Sequence, residues 1–159
     1  MSVTLSSILT GMAKSKTKKP TAKTKSQRKK TSAKLATSIT PWLNVRGGAR
    51  AVDFYKSAFG AVEVFRMGDE NSTVARLSID GAEFWLSDES PEHFNRSPES
   101  LGGITTRIIL TVADPDAVVA RAIKAGAKQV YPVTDEHEWR IGRVVDPFGH
   151  HWEIGRPLA

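Results

Sequence analysis

From residue 39 onward, apolar and polar positions alternate in short runs punctuated by Gly, Pro and Asp. Thr40-Pro41-Trp42-Leu43-Asn44-Val45 reads as a strand, with Pro41 near its start, where a missing N–H donor is tolerated. Val52, Tyr55 and Phe59 recur at helical spacing, so residues 51–59 form a predicted helix that Gly60 stops. Residues 61–67 read as a strand, and Gly68-Asp69-Glu70-Asn71 as a turn. Ala75, Leu77 and Ile79 alternate along the next strand, residues 73–79. Asp80-Gly81 is a tight hairpin signal and leads into a strand over residues 83–87. The order is β-α-β-β-β. Residues 87–103 are rich in Ser, Pro and Glu and end in Gly102-Gly103, which marks a linker.

The second half repeats the first. Residues 107–112 read as a strand. Asp114 is a predicted N-cap, Pro115 stands at the first helical position and Asp116 adds an acid to the first turn. The helix covers residues 117–125 and Gly126 stops it. Strands follow over residues 128–132, 140–145 and 150–154. Ala51-Val52 and Gly60-Ala61 match Ala117-Val118 and Gly126-Ala127, both at a spacing of 66 positions. A gapless match at both ends of a helix points to an internal duplication of a βαβββ unit. The last two strands meet at Asp146-Pro147-Phe148-Gly149, a hairpin in which Pro presets φ and Gly tolerates positive φ. Alternation beyond it puts His150, Trp152 and Ile154 on one face, and His151 and Glu153 on the other.

Charge changes the picture in one respect. Residues 1–38 carry ten of the 23 Lys and Arg and no acid, whereas residues 39–159 carry 13 basic and 17 acidic residues, a net of −4. The formal net charge of +6 therefore belongs to the basic tail, and the body is mildly acidic. The tail is poor in aromatic and branched residues and is expected to be disordered. It reads as a solubilising segment, with Met12 as an alternative start, or as a tether to nucleic acid or acidic surfaces. With no Cys, disulfides and thiolate chemistry are excluded. No apolar run approaches the roughly 20 residues that span a bilayer, so the expectation is a cytoplasmic protein without membrane contact. Phosphate loops, dinucleotide fingerprints and a Ser-His-Asp arrangement are absent.

Several short motifs, taken in order, carry a family resemblance. They are Phe54-Tyr55-Lys56-Ser57-Ala58-Phe59-Gly60-Ala61, Ser87-Asp88-Glu89, Val112-Ala113-Asp114-Pro115-Asp116-Ala117, Ala125-Gly126-Ala127 and Asp146-Pro147-Phe148-Gly149-His150. Together they resemble the vicinal oxygen chelate superfamily of glyoxalases, bleomycin-resistance proteins and extradiol dioxygenases, and within it the PhnB-like branch. The resemblance covers residues 39–157, with units at 39–88 and 104–155. It implies an α+β fold of two tandem βαβββ units forming a cup-shaped mixed sheet with helices outside, and pairing as a homodimer.

In metal-dependent members the ligands come from the first and last strands of each unit. Carried over, those positions are Thr40, Trp85, Arg107 and Glu153. The set offers one carboxylate and one permanent cation, which suits an Arg107–Glu153 ion pair better than a divalent metal. No cofactor is the expectation. A metal held by Glu153 with His151 or His137 is the alternative. Trp42, Asn44, Trp85, Ile109 and Thr111 share the cup-facing parity of Thr40 and Arg107. Thr40, Trp42, Trp85, Arg107, His151 and Glu153 are accordingly the expected ligand-binding residues, with a cationic or aromatic small molecule as ligand. His150 is expected to be structural, His93 solvated, and Arg140 structural or substrate-facing. In Glu136-His137-Glu138-Trp139-Arg140 the family's usual loop glycine is missing. The competing readings are a metal-dependent lyase, isomerase or dioxygenase, and a nucleic-acid-associated protein tethered by its tail.

Overall fold

In a computed structural model, residues 36–158 are described. The expectation of a disordered basic tail falls, for residues 1–35, outside them.

Two four-stranded mixed sheets form, as the tandem βαβββ reading predicts. Unit one contains β1 (Trp42–Val45), α1 (Gly48–Phe59), β2 (Val62–Met67), β3 (Val74–Ile79) and β4 (Ala82–Asp88), with sheet order β1-β4-β3-β2. A single 3-10 turn (Pro91–His93) and the short helix α2 (Pro98–Leu101) occupy the linker. Unit two contains β5 (Arg107–Thr111), α3 (Pro115–Lys124), β6 (Lys128–Glu136), β7 (Trp139–Val145) and β8 (His151–Pro157), with sheet order β5-β8-β7-β6. In each unit the first strand lies parallel to the last, and the other neighbours are antiparallel. No helix among the described residues is long and apolar enough to cross a membrane.

Helix α1 starts three residues before the predicted Ala51, because its cap is not local. Asp88 at the end of β4 accepts the Gly47 and Gly48 N–H groups at 2.9 and 2.8 Å, and the Thr73 N–H at 2.9 Å. A carboxylate there satisfies orphan donors and complements the positive end of the helix dipole. Gly60 ends the helix at φ 71°. Helix α3 is capped as the sequence predicts, with Asp114 accepting from the Ala117 N–H at 3.0 Å.

One face of each sheet packs on a common core. Its centre is aromatic: Phe54, Tyr55 and Phe59 from α1, Phe84 from β4, Phe148 from the final turn and Trp152 from β8. Tyr55 and Trp152 are almost fully buried, and each polar tip needs a partner. Asp146 supplies both. It accepts the Tyr55 hydroxyl at 2.7 Å and the Trp152 indole N–H at 2.9 Å. Its other oxygen takes the Phe148 and His150 N–H groups, each at 2.9 Å. Burial, with the Asp146 carboxylate beside it, pushes the Tyr55 phenol well above its ordinary pKa. The turn residue that sets the last hairpin thus also ties unit two to the helix of unit one.

His150 lies just before β8 and its Nε2 is 2.9 Å from the Asn44 carbonyl oxygen, a structural contact between the units. Gly149 has φ 88°, and a Cβ there would stand 2.8 Å from Pro98 Cβ. Both facts favour glycine at that position.

Candidate functional site

The opposite face of each sheet is open. Strand register places Phe65, Arg76, Trp85 and Trp42 in one row across unit one. The matching row in unit two is Tyr131, Arg143, Glu153 and Ile109. The repeat thus sets an aromatic residue, an arginine, the last-strand position and an apolar first-strand residue side by side in each sheet.

In unit one the row is an aromatic platform. The Trp42 and Trp85 rings stack with centroids 5.3 Å apart and planes 14° apart. Phe65 meets Trp85 edge-on at 5.6 Å. The Arg76 guanidinium lies over the Trp85 ring at 5.5 Å, a cation–π contact. Trp42 donates its indole N–H to Ser87 Oγ at 3.0 Å, which fixes the ring while leaving it 55% exposed. Thr40 precedes β1 and is exposed.

In unit two the row lines a cavity of about 660 Å³. Ile109, Tyr131, Pro132, Trp139 and Ile141 give it an apolar wall. Its polar floor is Arg107, Arg143 and Glu153. Arg107 Nη1 donates to Glu153 Oε1 at 2.5 Å, and Arg143 Nη2 approaches the same oxygen at 3.2 Å. The carboxylate side chain is 17% exposed, against 52% for Arg107 and 23% for Arg143. The Arg143 guanidinium also sits over the Tyr131 ring at 4.8 Å. Glu136, His137 and Trp139, at the β6–β7 hairpin, border the cavity. His137 and Glu138 make that turn with φ of 48° and 64°, left-handed values reached without the usual glycine. The body's net negative charge does not carry into the cavity floor, which holds two guanidiniums and one carboxylate.

The expected site residues gather in two places, and a further cavity between β1 and β5 is lined by both Trp42 and Arg107. Arg107 and Glu153 meet in the unit-two cavity. Trp42 and Trp85 meet on the unit-one platform, and the unit-two cavity takes all its lining from residues 107–153. His151 is on the cup face in register with Arg107 but does not line that cavity, and its Nδ1 is buried with no partner. Arg140 points away from the cavity. It pairs with Asp116 of α3 at 2.6 Å and with Asp135 at 2.9 Å, which makes it structural. His93 is exposed. Sequence reasoning missed Arg143, Tyr131 and Trp139. Arg143 stands 67 positions after Arg76, the spacing that also relates Thr40 to Arg107, so the repeat contained the signal.

The donor set does not fit a divalent ion. Trp85 and Arg107 offer no lone pair to a metal, and two guanidiniums approach Glu153 Oε1, which puts positive charge beside the one carboxylate among the four positions. Among the described residues no three His, Asp or Glu side chains converge on a point. Among the described residues, His137, His151 and Glu153 form no such group of three.

Two βαβββ units, each with its first strand parallel to its last and an open cup face, define a protein of the vicinal oxygen chelate superfamily. The chain belongs to the glyoxalase-like domain family, which matches residues 42–155. An uncharacterized Mycobacterium bovis protein is 42% identical over 128 residues, covering 76% of this chain and 84% of that protein. The crystal structure of an Arabidopsis thaliana gene product superposes with a TM-score of 0.62 at 32% identity, covering 77% of this chain and all of that one. TioX from Micromonospora sp. ML1 superposes equally, at 28% identity, over 77% of this chain and all of TioX. The fosfomycin resistance protein FosX from Listeria monocytogenes, crystallised with Mn(II) and sulfate, shares the fold at 16% identity and a TM-score of 0.58, over 77% of this chain and 93% of FosX.

Proposed function

We propose that the chain binds a small organic molecule in its cup without a resident divalent metal, as a PhnB-like member of its superfamily. The observation that carries this reading is the double approach of Arg107 and Arg143 to Glu153. A carboxylate held by two permanent cations has no net charge to offer a metal, and the guanidiniums repel one. The apolar wall of Tyr131, Trp139 and Ile141 with few polar groups is the usual chemistry of a small-ligand site. The Trp42–Trp85 platform adds a flat surface for an aromatic ring. The open, partly apolar faces of both sheets support a homodimer in which one copy covers the other's cup; Trp42, Phe65, Ile109 and Tyr131 are all more than 40% exposed in the single chain.

Calorimetric titration of the full chain, stripped with chelator, with Ni²⁺, Mn²⁺, Fe²⁺ and Zn²⁺ tests the metal question. The expected result is no stoichiometric binding that depends on Glu153. One metal per chain in the wild type, lost in Glu153→Gln, overturns the reading.

A further inference from the structure

The unit-two cavity contains more hydrogen-bond donors than its own carboxylate uses. Each guanidinium carries five N–H donors and no acceptor. Arg107 spends one on Glu153 Oε1. Among the described residues Arg143 makes no hydrogen bond of good geometry, only the 3.2 Å ion-pair approach, and its Nε is buried with no partner. Guanidinium N–H groups without an acceptor favour a molecule that brings one to the cavity floor. The floor also carries one positive charge in excess. Glu136, the other acid of the lining, is exposed at the strand end by the β6–β7 turn and accepts from Thr134 Oγ1 at 3.3 Å.

The apolar wall limits what can bring that acceptor. Tyr131 has one face under the Arg143 guanidinium, and Trp139, Ile141, Pro132 and Ile109 complete a surface suited to a ring or short chain. Resting on the metal-free reading above, we infer that the unit-two cavity recognises an organic oxyanion. The ligand is an apolar or aromatic body bearing a carboxylate or phosphonate, which takes the free N–H groups of Arg143 and Arg107. Glu153 then acts as the counter-charge that holds the two guanidiniums in place until the ligand arrives. The cationic ligand expected from the body's acidity does not suit this floor. Carboxylate and phosphonate share the fork geometry that arginine matches bidentately.

The test uses fragment probes on the full chain, read by thermal shift and by tryptophan fluorescence, since Trp139 borders the cavity. Benzoate and phenylphosphonate are expected to give saturable signals. Benzamide and benzylamine, of similar shape but neutral and cationic, are expected to bind about tenfold more weakly or not at all. Inorganic phosphate shows whether the anion alone suffices, and weaker binding than phenylphosphonate is expected. Arg143→Gln is expected to lose the benzoate signal. Arg140→Gln, on the far side of the sheet, is expected to keep it. Glu153→Gln removes the internal competitor and is expected to tighten benzoate binding. Circular dichroism identifies any variant that fails to fold, and the probe ranking on the wild type decides the question in that case. Equal binding of benzamide and benzoate, preference for benzylamine, or silence across the panel overturns the inference. The first two of these results leave the metal-free binding reading standing, whereas Glu153-dependent metal uptake removes that reading on its own.

Discussion

Asp146 is the residue through which the two units are held, and its removal gives a sharp test of the fold argument. Four donors point at one buried carboxylate: the Tyr55 hydroxyl, the Trp152 indole, and the Phe148 and His150 amides. Asp146 is 3% exposed and Tyr55 fully buried, so water does not replace the lost acceptor without rearrangement. Asp146→Ala leaves at least two side-chain donors and one turn amide unpaired. At roughly 1–3 kcal/mol for each buried unsatisfied group, with partial relaxation, the expected cost is about 3–5 kcal/mol. Asp146→Asn is milder and more informative. Its oxygen keeps the two turn amides, while its NH₂ group faces Tyr55 and Trp152. The Tyr55 hydroxyl can reverse and accept, but the indole N–H only donates. One donor–donor opposition remains, worth about 1–3 kcal/mol. Tyr55→Phe removes a single bond to a charged acceptor and is expected to cost about 1.5–3 kcal/mol. Urea unfolding followed by circular dichroism gives these values from the shift in midpoint at constant slope. Tyr55→Phe and Asp146→Ala should also be non-additive, because they share one bond. A loss below about 0.5 kcal/mol for Asp146→Ala, the range of ordinary surface changes, refutes the reasoning.

Two further predictions concern the site and the linker. Arg107 is half exposed, so its pair with Glu153 is screened; a double-mutant cycle with Arg107→Ala and Glu153→Ala should give a coupling of only about 0.5–1 kcal/mol, shrinking at 1 M salt. Glu89 accepts from the Ser97 N–H and hydroxyl and from the Ser100 hydroxyl, and these bonds, the Ser97 N–H first, hold its carboxyl below the usual range. A depressed folded-state value means the contribution is complete above the unfolded pKa of about 4.3 and is lost as pH falls through the folded one. The stability difference between wild type and Glu89→Gln, followed by urea unfolding, should hold level from neutrality down to about pH 5 and close below that unfolded value. A difference that grows on acidification contradicts it.

What the sequence disclosed was local or periodic. The alternation at Ala75, Leu77 and Ile79, the Asp114 cap and the Gly60 stop depend on a few neighbouring residues, and each appears as expected. The family resemblance implied that the first and last strands meet, the repeat located the matching positions, and the structure pairs β5 with β8 so that Arg107 and Glu153 share a face. The rest depends on distant partners. The early start of α1 needs Asp88, 40 positions away. Strand β6 runs on to Glu136 through two register irregularities, which interrupt the alternation that would have announced it. Helix α2 has four residues in a segment whose composition reads as linker; Glu89 and Ser97 hold its first turn. Arg143, between Gly142 and Val144, reads from the sequence as an ordinary solvent-facing position of a half-buried strand. Only its register with Glu153 reveals what it faces.

On the metal-free proposal, that register also predicts that one substitution does not convert this cup into a metal site. Arg76 and Arg143 occupy matching rows, each beside the last-strand position of its unit. In unit one that position is Trp85, and the cation rests on its ring. In unit two it is Glu153, and the cation rests on the carboxylate and on Tyr131. A guanidinium next to the last strand is thus common to both units, and Arg107 is an addition to it. Replacing Arg107 with histidine would supply a lone pair but leave Arg143 3.2 Å from the Glu153 carboxylate. The positive charge at this floor comes from two strands, β5 and β7, and the same two arginines are the groups on which the proposed oxyanion site rests. The proposed absence of a metal and the proposed choice of an oxyanion thus rest on one arrangement of charge, and the two proposals share the same residues.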